Sequence, residues 1–301
     1  MVELLNLQQQ CLNLLQAHSE CGQTCSLEHY CTLAGCATGD CSRCLNQIQY
    51  GKPKPVFHYS CKKITYHYTL RFFNRFASEI THLLRLFDYS KHTDLNVVSL
   101  GCGPGSEVYG IIKTFLLKEA DTILHYEGHD LNNYWETVQT MSKQCLGQLP
   151  HEINFYTTDL FADFHGFKNE TINILMFNYL LSDAALFMAD EQKKRFIDDV
   201  VNFIIENNVR NILFNDINYY GNVGKLNSGT QLMKLLIIKL QEQKKSLEIF
   251  YRYFLCENQY LGAEGWRLHK NNRNLFRILE GNTYMNNVGY CNSKQIFVHI
   301  Q

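Results

Sequence analysis

Apolar residues recur along the chain in two rhythms, and the change from one to the other predicts the order of the elements. Near the start, Leu4, Leu5, Cys11, Leu12, Leu14 and Leu15 stand among glutamines and asparagines, which predicts an amphipathic helix over residues 3–17. Over residues 65–87, Tyr68, Phe72, Phe76, Ile80, Leu83, Leu84 and Phe87 recur at intervals of three and four and predict a long helix. Beyond residue 95, short apolar runs at 97–100, 122–126, 153–156, 172–177 and 211–214 have the length of buried strands. Helical patterns at 108–116, 196–205 and 230–240 separate some of them, and two β-rich runs, 246–255 and 295–300, close the chain. Strands and helices interleaved in this way predict a doubly wound α/β fold, with helices on both faces of a mostly parallel, seven-stranded sheet.

The first of these strands ends in Ser99-Leu100-Gly101-Cys102-Gly103-Pro104-Gly105-Ser106-Glu107. Gly101, Gly103 and Gly105 permit a sharp turn with no side chain blocking a ligand, and a helix opening at Ser106 aims its first N–H groups toward whatever the glycines admit. The spacing is not the GxGxxG of nicotinamide or flavin enzymes and lacks the GK[ST] ending of a P-loop. This segment resembles the first motif of the class I S-adenosylmethionine (SAM)-dependent methyltransferases, and the resemblance runs by pattern over residues 95–300. One departure stands out: the acid that often precedes the first glycine by two positions in that family is Ser99 here.

The resemblance implies SAM as cofactor, with Gly101, Gly103, Gly105, Asp130, Asp159, Leu160 and Asn178 around it. Asp130 occupies the place of the ribose-binding acid, a residue type suited to a diol because one carboxylate accepts from both hydroxyls. Asp159 and Leu160 match the adenine-reading positions, and Trp135 is expected in the following helix, packing or lying against adenosine. Asn178-Tyr179-Leu180-Leu181 stands where amino-methyltransferases carry Asn/Asp-Pro-Pro-aromatic, which disfavours base amino groups as acceptors. Asn178, Asp183 and Asp216 are the catalytic candidates, the two acids as proton acceptors if the methyl acceptor must lose a proton.

Charge and cysteine content change this picture in two ways. Across 301 residues, 28 Lys and Arg oppose 29 Asp and Glu, so no global cationic surface is indicated. Locally, residues 52–91 interleave eight cations with aromatics, a surface that could grip RNA, although rings at this spacing more often face a core. A second basic segment, 265–277, holds Trp266, Arg267, His269, Lys270, Arg273 and Arg277 and is a further candidate for substrate contact. Eight of the twelve cysteines fall between Cys11 and Cys61. The run Cys21, Cys25, Cys31, Cys36, Cys41, Cys44 is read as a metal-stapled module holding a structural zinc ion, with an iron–sulfur cluster or redox-active thiols as alternatives.

The expected organisation is a helix and cysteine-rich module over 1–56, a helical basic and aromatic segment over 57–94, and a SAM-binding domain over 95–301. The N-terminus has an acid where a secretory signal needs Lys or Arg, which leads to the expectation of a cytoplasmic protein without a membrane span. The expected activity is methyl transfer to a macromolecule, RNA or protein. The alternatives are an inactive SAM-fold scaffold and a small-molecule methyltransferase.

Overall fold

A computed structural model of the chain describes residues 2–17, 41–42, 44–45, 59, 61–161, 171–217, 226–254, 265–284 and 290–301. Eight strands form one sheet: β1 (Asp94–Leu100), β2 (Ile123–Asp130), β3 (Glu152–Thr157), β4 (Ile174–Asn178), β5 (Asn211–Ile217), β6 (Leu247–Tyr253), β7 (Trp266–Leu268) and β8 (Ser293–Ile300). Their order is β3-β2-β1-β4-β5-β8-β6-β7. Strands β1 to β5 are parallel, and β8 inserts antiparallel between β5 and β6. The chain therefore winds outward from β1 through β2 to β3, returns, and winds the other way through β4 and β5. Strand order reverses between β1 and β4, and a crevice opens there at the carboxyl ends of the strands.

The helices among the described residues are α1 (Val2–Ala17), α2 (Lys62–Leu84), α3 (Ser106–Lys118), α4 (Glu136–Leu146), α5 (Leu181–Phe187), α6 (Asp190–Glu206) and α7 (Gly229–Glu242). Alternation along each strand sorts them to two faces. Leu95 and Val97 of β1 with Ile174 and Met176 of β4 face a core shared by α1, α2, α3 and α4. Val98 and Leu100 with Leu175 and Phe177 face the core built on α5, α6 and α7. Strands buried on both faces lose the polar alternation of a one-sided sheet, which is why they read as continuous apolar runs.

The structure differs from the sequence reading in four places. Among the described residues the sheet has eight strands, not seven: Trp266–Leu268 pairs parallel to β6, a stretch too short and too basic to carry a strand signal. Strand β2 runs four residues beyond the predicted end, through Gly128, where a Cβ would lie 2.7 Å from the Tyr126 hydroxyl and 2.9 Å from Cys102 Sγ. That glycine permits a close approach inside a strand and breaks nothing. Helix α2 starts and stops three residues earlier than predicted, because Leu86 and Phe87 fold back in a turn that keeps Phe87 buried. Trp135 ends a short 3-10 turn ahead of α4 instead of lying within that helix.

Helix α2 lies in the interior, with 18 of its 23 residues buried, so its rings pack inward as a core reading requires. Its crossing with α3 is close at one point: a Cβ on Gly110 would sit 2.6 Å from the carbonyl oxygen of Ala77. Of the six cysteines assigned to a metal module, Cys21, Cys25, Cys31 and Cys36 lie outside the described residues, as do Lys52 and Lys54. Cys41 and Cys44 are buried on helical backbone. Among the described residues no three metal-binding side chains cluster, and no helix is long and apolar enough to cross a membrane.

Candidate active site

The turn after β1 places Gly101, Gly103 and Gly105 in the left-handed region, at φ 69°, 51° and 78°. Each glycine meets a different neighbour. A Cβ on Gly101 would fall 2.7 Å from Leu180, and one on Gly105 would fall 2.7 Å from the Phe155 ring, so both are demanded by packing as well as by φ. At Gly103 the nearest atoms are those of the Trp135 ring, at 3.8 Å. Gly101 and Gly103 line a crevice holding about 700 Å³ of empty space, part of it open to solvent, while Gly105 packs against β3 and takes no part in the lining.

Asp130, the last residue of β2, closes one side of the crevice. Its Oδ2 accepts from the Gly103 N–H and its Oδ1 from the Asn132 N–H, both at 2.8 Å. One main-chain donor per oxygen leaves each a further lone pair. Burial pushes this carboxyl up to about 6, against the lowering effect of the two N–H bonds. Next to it, Leu131, Asn132, Thr158, Leu160 and Phe161 form one wall. Asp159 is exposed, and its Oδ1 accepts from the Phe161 N–H at 3.0 Å; it shapes the turn while its neighbours line the crevice.

The opposite wall comes from β4 and α5. Asn178 is buried with its amide committed: Oδ1 accepts from Asn215 at 2.9 Å, and Nδ2 lies 3.4 Å from both Ser106 Oγ and Glu107 Oε2. Tyr179 follows at φ 60°, a strained conformation for a residue with a ring. It is held there by its hydroxyl, which donates to Glu79 Oε2 at 2.9 Å, and by its ring, stacked on Phe76 at 4.1 Å. Asp183, in the first turn of α5, faces the crevice and has no hydrogen-bond donor among the described residues. Burial, then the charges of Asp216 and Asp130, pushes its carboxyl up to about 8. Aromatic rings complete the enclosure: Trp135 lies 5.6 Å from Tyr59 and 5.3 Å from Tyr68, and all three line the crevice.

Two buried glutamates that the sequence reading left without a role organise this edge of the sheet. Glu107, in the first turn of α3, accepts from Ser99 at 2.6 Å and from Tyr126 at 2.8 Å through Oε1. Burial raises its pKa, opposed by these donors. A carboxylate therefore does sit beside residue 99, supplied from the helix instead of the strand. Ser106 and Glu107, the first residues of α3, are buried and do not line the crevice. Glu79 on α2 accepts from Tyr179, from Asn215 Nδ2 at 3.0 Å and from the Asn292 N–H at 2.7 Å. An acid in the turn directly after a glycine motif that lacks its usual acid was the available sign for Glu107. Glu79, spaced like any solvated helix residue, offered none.

Asp216 does not line the crevice. Its oxygens accept from the N–H groups of Ser182 at 2.8 Å and Ile217 at 2.7 Å, and Gly229 at the head of α7 packs directly on Oδ2. It fixes the start of α5 and thereby the place of Asp183.

No protein-family model matches the chain, and no curated protein matches it in sequence. Solved structures of similar shape include a human methyltransferase 10 domain containing protein, 10% identical at a TM-score of 0.42, covering 75% of this chain and 81% of that one. The magnesium protoporphyrin IX methyltransferase of Synechocystis, solved with SAM bound, is 10% identical at a TM-score of 0.40 over 91% of this chain and 95% of that one. An rRNA methylase from Streptococcus thermophilus is 11% identical at a TM-score of 0.38 over 75% and 94%. Likeness at this level assigns no activity to the chain.

Proposed function

We propose that the chain binds SAM in the crevice between β1 and β4 and transfers its methyl group to a macromolecule, RNA or protein. The observation that carries this reading is Asp130: a half-buried acid at the end of β2, oriented by the Gly103 N–H and facing a crevice floored by side-chain-free backbone at the strand-order reversal. The residues fit the cofactor part by part. The free lone pairs of Asp130 suit a ribose diol, the wall of Leu131, Thr158, Leu160 and Phe161 suits a planar base, and the open face of Gly103 admits a close neighbour. When bound, SAM supplies a methyl group already activated on a sulfonium.

The protein's part is then positioning and exclusion of water, which together supply about 7 to 11 kcal/mol in well-oriented reactions. Tyr179 and Leu180 shape the acceptor side, and the rings of Tyr59, Tyr68 and Trp135 keep solvent from the reacting atoms. Asp183 takes up the acceptor's proton on its carboxylate where the acceptor carries one, being the one catalytic candidate that both faces the crevice and has no protein donor among the described residues.

Incubation with methyl-labelled SAM and separated RNA, protein and small-molecule fractions tests the proposal. Label in RNA or protein is expected. Label in small molecules alone would reject the macromolecular acceptor, and label nowhere despite measurable SAM binding would reject the enzyme. Structural zinc at the cysteine run rests on spacing alone, and metal analysis of protein purified without added metal decides it.

A further inference from the structure

At the far end of α2 from Trp135, a groove opens that the cofactor crevice does not use. It is lined by His82 and Arg85 from α2, Arg252 from β6, and Arg267, His269 and Lys270 from β7 and the residues after it. Strands β6 and β7 run parallel with Arg252 and Arg267 as register partners, so two guanidinium groups stand side by side across adjacent strands. Like charges directly opposite one another on a sheet are destabilising. Among the described residues no carboxylate lies within 4 Å of Arg85, Arg252, Arg267 or Lys270.

The floor adds no compensating negative charge. The His269 ring is held by Gln295 Oε1 at 2.7 Å and stacked on Phe254 at 4.1 Å, and His82 contacts the Arg273 carbonyl at 3.4 Å. Burial holds both imidazoles neutral, pushing them down to about 3 and about 4. Burial and the adjoining Arg267 charge also push Arg252 down from its usual range. The predicted basic segment divides here. Residues 267–271 face the groove, while 274–279 turn back, with Asn274 accepting from Ser78 at 2.7 Å and the Leu279 N–H donating to Gln8 at 3.1 Å.

We infer that this groove holds the phosphodiester backbone of a single-stranded nucleic acid, with one phosphate bridging Arg252 and Arg267 and the next approaches covered by Arg85 and Lys270. Paired guanidiniums match phosphate oxygens in a planar, two-pronged geometry, and the bound anion removes the repulsion between them. The inference deepens the proposed function, naming nucleic acid over protein as its acceptor class, and rests on that reading for its biological purpose. The groove opens at the carboxyl ends of β6 and β7, the edge of the sheet that also carries the cofactor crevice, so a strand crossing that edge reaches both.

Binding of a labelled mixed-sequence oligoribonucleotide to the full chain, followed by anisotropy across a salt series, tests this without requiring methyl transfer. The wild type is expected to lose affinity linearly with log salt. The Arg252→Gln/Arg267→Gln variant is expected to bind more weakly, with the slope reduced by about 0.7 for each phosphate that the protein no longer neutralises. Its thermal midpoint should match or exceed the wild type's, which guards against misfolding. Unchanged affinity and slope in the double variant would overturn the inference. So would a poly-glutamate peptide binding as tightly as RNA and losing affinity in the same variant, since the groove would then serve an acidic protein. SAM affinity of the Arg252→Gln/Arg267→Gln variant by calorimetry should equal the wild type's, since neither residue lines the cofactor crevice, so a failure of the cofactor reading leaves the RNA result separately legible.

Discussion

Asp130 and Asp183 face the same crevice and are expected to fail differently when changed. Asp130→Ala removes a charged acceptor with room for two further hydrogen bonds, worth roughly 1.5 kcal/mol each or more, so SAM affinity should fall by more than about tenfold with the fold intact. An unchanged dissociation constant by calorimetry would point to a different acid. Asp183→Asn should leave SAM affinity nearly unaltered and slow methyl transfer by about a hundredfold or more. The wild-type rate should rise through about pH 8 as the carboxyl ionises, and the variant should lack that limb. Stability supplies an independent check with a definite sign. The folded-state carboxyl titrates near 8, above the ordinary carboxylate value of about 4, so the folded state binds the extra proton between those limits. Its contribution is complete at low pH and is lost as pH rises toward 8. Urea midpoints of wild type and Asp183→Asn should therefore diverge on going from pH 5 to pH 9, with the variant the more stable at the alkaline end.

Among the elements, the α2–α3 crossing is the most exposed to a small change. Gly110→Ala would place a methyl group 2.6 Å from a backbone oxygen that cannot swing away, so the helices must separate. The expected cost is about 1–3 kcal/mol by urea unfolding, with weaker SAM binding because α2 carries Tyr68 into the crevice wall. No loss of stability would mean the crossing relaxes without strain. The elements were legible in the sequence where burial on both faces imposes continuous apolar runs, as in β4, or where one apolar stripe repeats, as in α6. Legibility failed at Gly128, which reads as a breaker and lies within a strand, and at Trp266–Leu268, whose pairing depends on β6 and leaves no period in three residues. The site divides in the same way. Gly101, Gly103, Asp130, Leu160, Asn178 and Asp183 were visible because a motif or a strand end marks them, and all line the crevice. Tyr59, Tyr68 and Phe161 were not, because a ring at a helical or loop position looks the same whether it meets a core or a ligand.

Across the whole molecule, a chain of buried side-chain hydrogen bonds joins the two halves of the sheet at their carboxyl edge. It passes from Tyr126 and Ser99 through Glu107 to Asn178 and Asn215, then to Glu79, Ser293, Gln295 and His269. Glu79→Gln would set an amide donor against donors already pointing at that position, leaving at least one unmet at a cost of about 1–3 kcal/mol. The expected signature is lower stability together with reduced SAM affinity, because Tyr179 loses the partner that holds its left-handed backbone. Loss of stability with SAM affinity intact would show that the ring stack on Phe76 suffices. Helix α2 has one more consequence for the molecule. Tyr68 at the crevice and His82 at the basic groove lie about four turns apart on one unbroken helix, a separation of roughly 21 Å. Such a rod works as a yardstick: a strand gripped at its far end would present to the methyl donor only the nucleotide that falls at that fixed span, so the choice of target would be set by counting along the polymer as well as by reading a base.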